Sequence, residues 1–121
     1  MEHGVTLVLG ASTKPHRYGR MAVESLRRHG HPVLAVGRRT GEIGDVPILR
    51  EIPAGVVVDT VTMYLNARNQ EAYQEQLLAL SPRRIIFNPG AEHPEFAKRA
   101  EAQGIVTVEG CTLVMLSAGT Y

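Results

Sequence analysis

Five short runs of strand-forming residues recur along this chain, and polar or helix-like stretches separate them. The runs are residues 5–9, 32–36, part of 56–65, 84–87 and 105–108. The first, Val5-Thr6-Leu7-Val8-Leu9, reads as a strand buried on both faces. Helical spacing predicts a helix over 18–29, with Ala22 and Leu26 on one face and Gly30 as its stop. Asn66 is placed to cap a second helix carrying Tyr73, Leu77 and Leu80, which Ser81-Pro82 ends. Pro94 suits the first turn of a third, carrying Phe96, Ala97 and Ala100 and stopping at Gly104. Residues 38–53 hold Gly41, Gly44, Pro47 and Pro53 and read as irregular, with a short Ile48-Leu49 contact. Alternating strands and helices imply right-handed crossovers between parallel strands. The expected fold is α/β: a three-layer doubly wound parallel sheet of five strands, in one domain over 1–121.

Composition narrows what such a domain can do. The net charge is +1, so no general basic field recruits nucleic acid. The cations are local instead, in 14–20, Arg27-Arg28, Arg38-Arg39 and Arg83-Arg84. No apolar segment approaches the roughly 20 residues that a membrane helix needs. Residues 1–4 run straight into the first strand, so no leader is expected. A single cysteine supplies neither an intrachain disulfide nor a multi-cysteine metal site. The expectation is a cytoplasmic protein with no nucleic-acid and no membrane partner.

In a sheet of this kind, ligands lie outside the carboxyl ends of the strands, where the two halves diverge. Those ends carry Gly10-Ala11-Ser12, Gly37-Arg38-Arg39, Thr62-Met63-Tyr64 and Asn88-Pro89-Gly90. After Ser12 comes a basic loop, Thr13-Lys14-Pro15-His16-Arg17, which opens into the helix at Tyr18. A helix amino end offers unpaired N–H groups and a positive dipole, so this corner favours an anion, most simply a phosphate. Gly10 and Ser12 alone would also serve as a tight turn; Lys14 and Arg17 beside them favour the phosphate. The three-glycine dinucleotide fingerprint does not fit, because Gly10 stands alone until Gly19. Nor is there a G-x-x-x-x-G-K-[ST] loop. An NAD binder wants an acid after its second strand, and this chain has Arg38 and Arg39 there. Two guanidinium groups suit a phosphate on the ribose. NADP carries that phosphate on the 2′ oxygen and coenzyme A on the 3′ oxygen, and the arginines alone do not separate the two.

Three segments in order, 10–19, Gly30-His31-Pro32-Val33 and Asn88-Pro89-Gly90, resemble those of small stand-alone CoA-binding domain proteins. The closing Glu109-Gly110-Cys111-Thr112-Leu113-Val114 resembles a branch of the same family, and the likeness covers almost the whole chain. That family is similar in fold to the CoA-binding lobe of the succinyl-CoA synthetase α subunit. The resemblance implies a Rossmann-like fold that binds coenzyme A, with the pyrophosphate over the first turn. Ser12 and the backbone of Ala11 and Thr13 would hold it, with Lys14 and Arg17 neutralising its charge and Tyr18 close by. Arg38 or Arg39 would take the 3′-phosphate, and Met63, Tyr64 and Asn88 would line the pantetheine path. Where the family commonly has Asn-Pro after its second strand, this chain has Gly37-Arg38-Arg39.

No nucleophile, base and acid stand in a catalytic pattern, and Asp59 and Glu92 read as isolated. The five histidines show no metal-ligand spacing; His93 reads as a helix start, and His16 lies in the phosphate loop. Arg27-Arg28 and Arg83-Arg84 read as surface charges. Cys111 reads as a small hydrophobe, the sharper alternative being a cleft thiol that exchanges with that of coenzyme A. The apolar tail, from Leu113 to Leu116, needs cover from the body or from a second copy. The expected function is non-catalytic binding of coenzyme A or an acyl-CoA. The alternatives are an NADP-binding domain of an oxidoreductase system and an interaction subunit with a vestigial nucleotide pocket.

Overall fold

The unbroken apolar run near the amino terminus forms a central strand, β1 (Thr6–Leu9), with all four residues buried. A computed structural model describes residues 4–121; the lead-in of residues 1–3 lies outside the described residues. On one side β1 pairs in parallel with β2 (Val33–Val36), Leu9 opposite Val36. On the other it pairs in parallel with β5 (Thr60–Met63), Leu9 opposite Met63. β6 (Arg84–Phe87) and β7 (Val106–Glu109) extend that side, also in parallel. The chain thus builds outward from β2 in one direction, then crosses back to β5 and builds in the other.

Among the described residues the sheet has seven strands rather than the expected five, in the order β3 (Gly41–Ile43), β4 (Val46–Leu49), β2, β1, β5, β6, β7. The additional pair is a hairpin, β3 antiparallel to β4, in the stretch expected to be irregular. Its glycines and proline act as punctuation within the strands. Gly44 takes φ +59° in the two-residue turn with Asp45, the backbone such a turn demands. β4 joins β2 in parallel only at Ile48 and Leu49, just beyond Pro47, which has no N–H to give a ladder. Asp45 also anchors the turn to the first helix, accepting from Arg27 at 3.1 and 2.7 Å.

Helices cover both faces of the sheet, giving the three layers. Leu7, Leu9, Val61, Met63, Ile85 and Phe87 pack with Leu77 of α3 (Gln74–Leu80) and Phe96 and Ala100 of α4 (Pro94–Ala102). On the opposite face Val8, Ala35 and Ile48 pack with Val23 and Leu26 of α1 (Tyr18–Arg28) and Leu116 of α5 (Thr112–Ala118). Each large apolar side chain buried here contributes roughly 1.5–3 kcal/mol. α5 is the apolar tail; it buries Leu116 against the body and leaves Val114 exposed. Asn66 caps as expected, accepting from Asn69 N–H at 2.9 Å. Its helix is not continuous, however: α2 (Ala67–Gln70) passes through a 3₁₀ turn (Glu71–Tyr73) before α3. His93 caps α4, its Nδ1 accepting from Phe96 N–H at 3.1 Å, with Pro94 in the first turn.

At the amino end of the sheet, Arg83 is exposed, as expected, but paired, whereas Arg84 is not a surface charge. Arg83 donates to both carboxylate oxygens of Asp59, at 3.0 and 3.1 Å. Arg84 is buried, with its guanidinium 4.5 Å from the Tyr121 ring centroid and its Nε donating to Thr60 Oγ1 at 3.3 Å. Asp59 is therefore a structural partner and not an isolated acid, and the Arg83 guanidinium holds its carboxyl below the ordinary range.

Candidate functional site

Parallel strands end together, so the loops after β2, β1 and β5 gather at one rim. Gly10 ends β1 with φ +103°, and a Cβ there would meet the Tyr64 backbone at 3.1 Å. Gly37 ends β2 where a Cβ would lie 2.1 Å from the Ala11 carbonyl oxygen. Gly19, in the first turn of α1, would bring a Cβ to 2.3 Å from the Gly10 carbonyl oxygen. These three positions need glycine because backbone packs directly on backbone. They draw the amino end of α1 against the end of β1, although loop 10–17 intervenes. A third glycine for close helix packing is one role in the dinucleotide fingerprint; here Gly19 fills it at a longer spacing.

The first turn of α1 has no side-chain cap and no acidic residue. Its N–H groups at Tyr18, Gly19 and Arg20 are therefore open to an external acceptor. Around them Thr13, Lys14, His16, Arg17 and Tyr18 are exposed, and Ser12 is half-buried, its Oγ accepting from Lys14 N–H at 3.1 Å. Arg20 differs from the other two cations of this corner: it braces the loop through the Thr13 carbonyl and pairs with Glu24 at 3.5 Å. Among the described residues, the side chains of Lys14, Arg17, Arg38 and Arg39 make no ion pair or hydrogen bond.

A cleft of about 280 Å³ opens where β2, β1 and β5 end, which is the switch point of the chain. Leu9, Val36, Leu65 and Tyr73 give it apolar walls, Gly10 and Gly37 its backbone, and Arg38 and Asn69 its polar groups. It is just under the usual range for small-molecule clefts, roughly 300–1,000 Å³. A long ligand would therefore be enclosed only in part and would continue over the open rim.

Of the residues expected at a site, Gly10, Gly37 and Arg38 line this cleft, and Ala11, buried, packs behind it. Arg39 is exposed beside Arg38. Met63 belongs to the core, its side chain fully buried, and lines nothing. Asn88 is likewise spent inside: Nδ2 donates to Thr62 Oγ1 (2.8 Å) and the Met63 carbonyl (2.9 Å), and Oδ1 accepts from Thr112 N–H (2.8 Å). It ties β5 to the start of α5, with a Thr62–Thr112 hydroxyl pair beside it at 2.7 Å. Pro89 and Gly90 are exposed in the turn that follows, where Gly90 N–H donates to Glu92 at 2.9 Å. Tyr64 is partly buried, and its hydroxyl lies inside without a hydrogen-bond partner. Burial pushes its pKa up to about 12, with the nearby Thr62 and Thr112 hydroxyls acting the other way. Cys111 is half-buried just before α5.

Five walls of the cleft, Leu9, Val36, Leu65, Asn69 and Tyr73, are not among the residues expected at the site. Leu65 precedes the cap of α2, Asn69 lies within α2 and Tyr73 ends the 3₁₀ turn, so no single helical periodicity marks these three in the sequence. Tyr73 also packs against the core cluster that contains Leu77.

The profile of the family described as CoA binding domain matches residues 5–117. The chain belongs to the CoA-binding domain family. A solved, uncharacterized protein is 45% identical with a TM-score of 0.94, each chain covered over 100% of its length. A Thermus thermophilus protein, cell-free ID.343, is 24% identical with a TM-score of 0.86, covering 98% of this chain and 91% of that one. The dinucleotide forming acetyl-coenzyme A synthetase 1 of Ca. Korarchaeum cryptofilum shares the fold at 13% identity and a TM-score of 0.74. The match covers 90% of this chain and 26% of the synthetase. No curated protein matches the chain. The chain has a Rossmann-like α/β fold with a mostly parallel sheet. No helix among the described residues is long and apolar enough to cross a membrane.

Proposed function

We propose that this protein binds coenzyme A or an acyl-CoA without transforming it. The observation that carries the reading is the switch-point cleft with Arg38 at its edge and the uncapped amino end of α1 beside it. Apolar walls of Leu9, Val36, Leu65 and Tyr73 suit a flat base, and Asn69 can hydrogen-bond its edge. Arg38 and Arg39, uncommitted to the fold, take the 3′-phosphate. The pyrophosphate lies over Gly10, Ala11, Ser12 and Thr13, with Lys14, Arg17 and the N–H groups from Tyr18 onward facing it. The pantetheine arm then runs over the rim past Tyr64 and the turn at Asn88, Pro89 and Gly90. Apolar groups, an amide, a phenol and a guanidinium bind and orient; this is the equipment of a carrier or sensor.

Calorimetric titration with CoA, dephospho-CoA and NADP tests the reading. CoA binds, and removing the 3′-phosphate weakens it tenfold or more, the scale of a charge-assisted contact. CoA at 100 times its Kd stabilises the fold by roughly 2.7 kcal/mol. Tight NADP binding with no response to CoA would assign the site to an oxidoreductase cofactor instead. No stabilisation by any of the three would make the pocket vestigial.

A further inference from the structure

We propose that Gln70 couples the two halves of the groove and is a positioning residue for a ligand that spans both. The inference rests on the cofactor reading above. Gln70 ends α2 and is fully buried. Its Nε2 donates to the Leu65 carbonyl at 2.9 Å and to the Ala91 carbonyl at 2.6 Å. Its Oε1 is buried with no partner, so the side chain is held by its two donors alone. Leu65 is a cleft wall after β5, and Ala91 closes the turn after β6, its N–H bonded to the Asn88 carbonyl at 2.8 Å.

One amide group therefore ties the wall of the nucleotide cleft to the turn that the arm of the ligand crosses. The Asn88 bonds hold the strands beneath together; Gln70 joins the loops above them. Its neighbour Asn69 lines the cleft, so a base settling there bears on the same short helix. The two loops then move as one body, and order imposed at the cleft is already present at the turn when the arm arrives. The chemistry is strict about the donor. A carboxylate of the same shape would set an oxygen against two carbonyl oxygens.

The test compares CoA with 3′-phospho-ADP, which stops at the diphosphate, on the full chain, Gln70→Met and Gln70→Glu. Gln70→Met keeps the length and removes both donors. In either variant CoA weakens tenfold or more and the fragment by a clearly smaller factor, because the fragment does not reach the turn at 88–92. Amide exchange in 64–70 and 88–92 accelerates together. In the native protein, saturating fragment slows exchange at 88–92, which needs no variant that folds. Equal weakening of both ligands marks a merely structural residue and overturns the proposal, as does exchange that rises in one loop alone. If neither ligand binds the native chain while the two loops still loosen together, the mechanical link stands and the cofactor reading falls.

Discussion

At the amino end of the sheet, Asp59 grips Arg83 through both oxygens, and Arg84 lies buried over the ring of Tyr121. At the carboxyl end Lys14, Arg17, Arg38 and Arg39 stand exposed, without a protein partner among the described residues. The sheet between them is the same; what differs is whether the cations are consumed by the fold. A paired cation is neutralised, and its removal costs stability. A free one on a rim costs the fold nothing to remove, and its charge is left for a ligand. The difference separates the cations that the fold uses from those that it leaves uncommitted.

The largest effect should come from the carboxyl rim's backbone, which is not free at all. Gly37→Ala would place a methyl 2.1 Å from the Ala11 carbonyl oxygen. Neither group can yield without moving the end of β2 or the loop after β1. Overpacking of this severity costs about 3 kcal/mol, or roughly 10 °C in Tm for a chain of this size. Thermal melts check the cost, and CoA titration of the surviving fold should show lost binding. A variant with native Tm would mean the rim is looser than its contacts indicate.

The side chains on that rim should behave in the opposite way. Replacing Arg38 and Arg39 together by Ala should leave stability within about 0.5 kcal/mol, as for exposed residues without partners. CoA affinity should fall roughly 10- to 100-fold, the loss of one or two charge-assisted contacts. Unchanged affinity would move the ribose phosphate elsewhere.

This contrast also explains what could be read in advance. The central strands β1, β5 and β6 announce themselves because burial on both faces selects apolar and β-branched runs, and the edge strand β7 by its β-branched residues alone. The β3–β4 hairpin does not, since Gly44 and Pro47 look like breakers until the turn and the ladder gap that hold them are known. Arg38 and Arg83 are equally basic in sequence, and only a carboxylate 24 residues away makes one of them structural. Asn88 was legible as a rim residue, but not as one turned inward, because its partners Thr62 and Thr112 come from other elements. Local pattern carries strand position; the direction and pairing of a polar side chain depend on distant chain.

At the amino end the expected effect is smaller and depends on pH. Arg83→Ala removes an ion pair that is 60% exposed on the arginine side, so at neutral pH it should cost no more than about 1 kcal/mol. Arg83 holds the folded-state pKa of Asp59 below its ordinary value. The pair's stabilisation is therefore full above pH ~4 and fades as the pH falls through the lower, folded value. Chemical denaturation across that range should show the native and variant curves converging in acid. CoA binding should not change, and a binding defect here would blur the division between the two ends.

The smallest effect is the sharpest in sign, because each end has one partly buried tyrosine whose hydroxyl burial disfavours ionisation. Tyr121 spends its hydroxyl on Thr6 Oγ1 at 2.5 Å, whereas that of Tyr64 is buried without a partner. Tyr121→Phe strands the Thr6 hydroxyl and should destabilise by about 1 kcal/mol. Tyr64→Phe relieves an unsatisfied buried group and should be neutral or stabilise by up to about 1 kcal/mol. With the pKa of Tyr64 raised to about 12, the native fold loses its contribution as pH climbs above 10 toward that value. Tyr64→Phe removes that part of the alkaline loss. Melts of both variants at neutral pH and at pH 10–11 decide the matter. If Tyr64→Phe destabilises as much as Tyr121→Phe, the hydroxyl has a partner in solution, and the rim is as fully committed to the fold at that point as the opposite end.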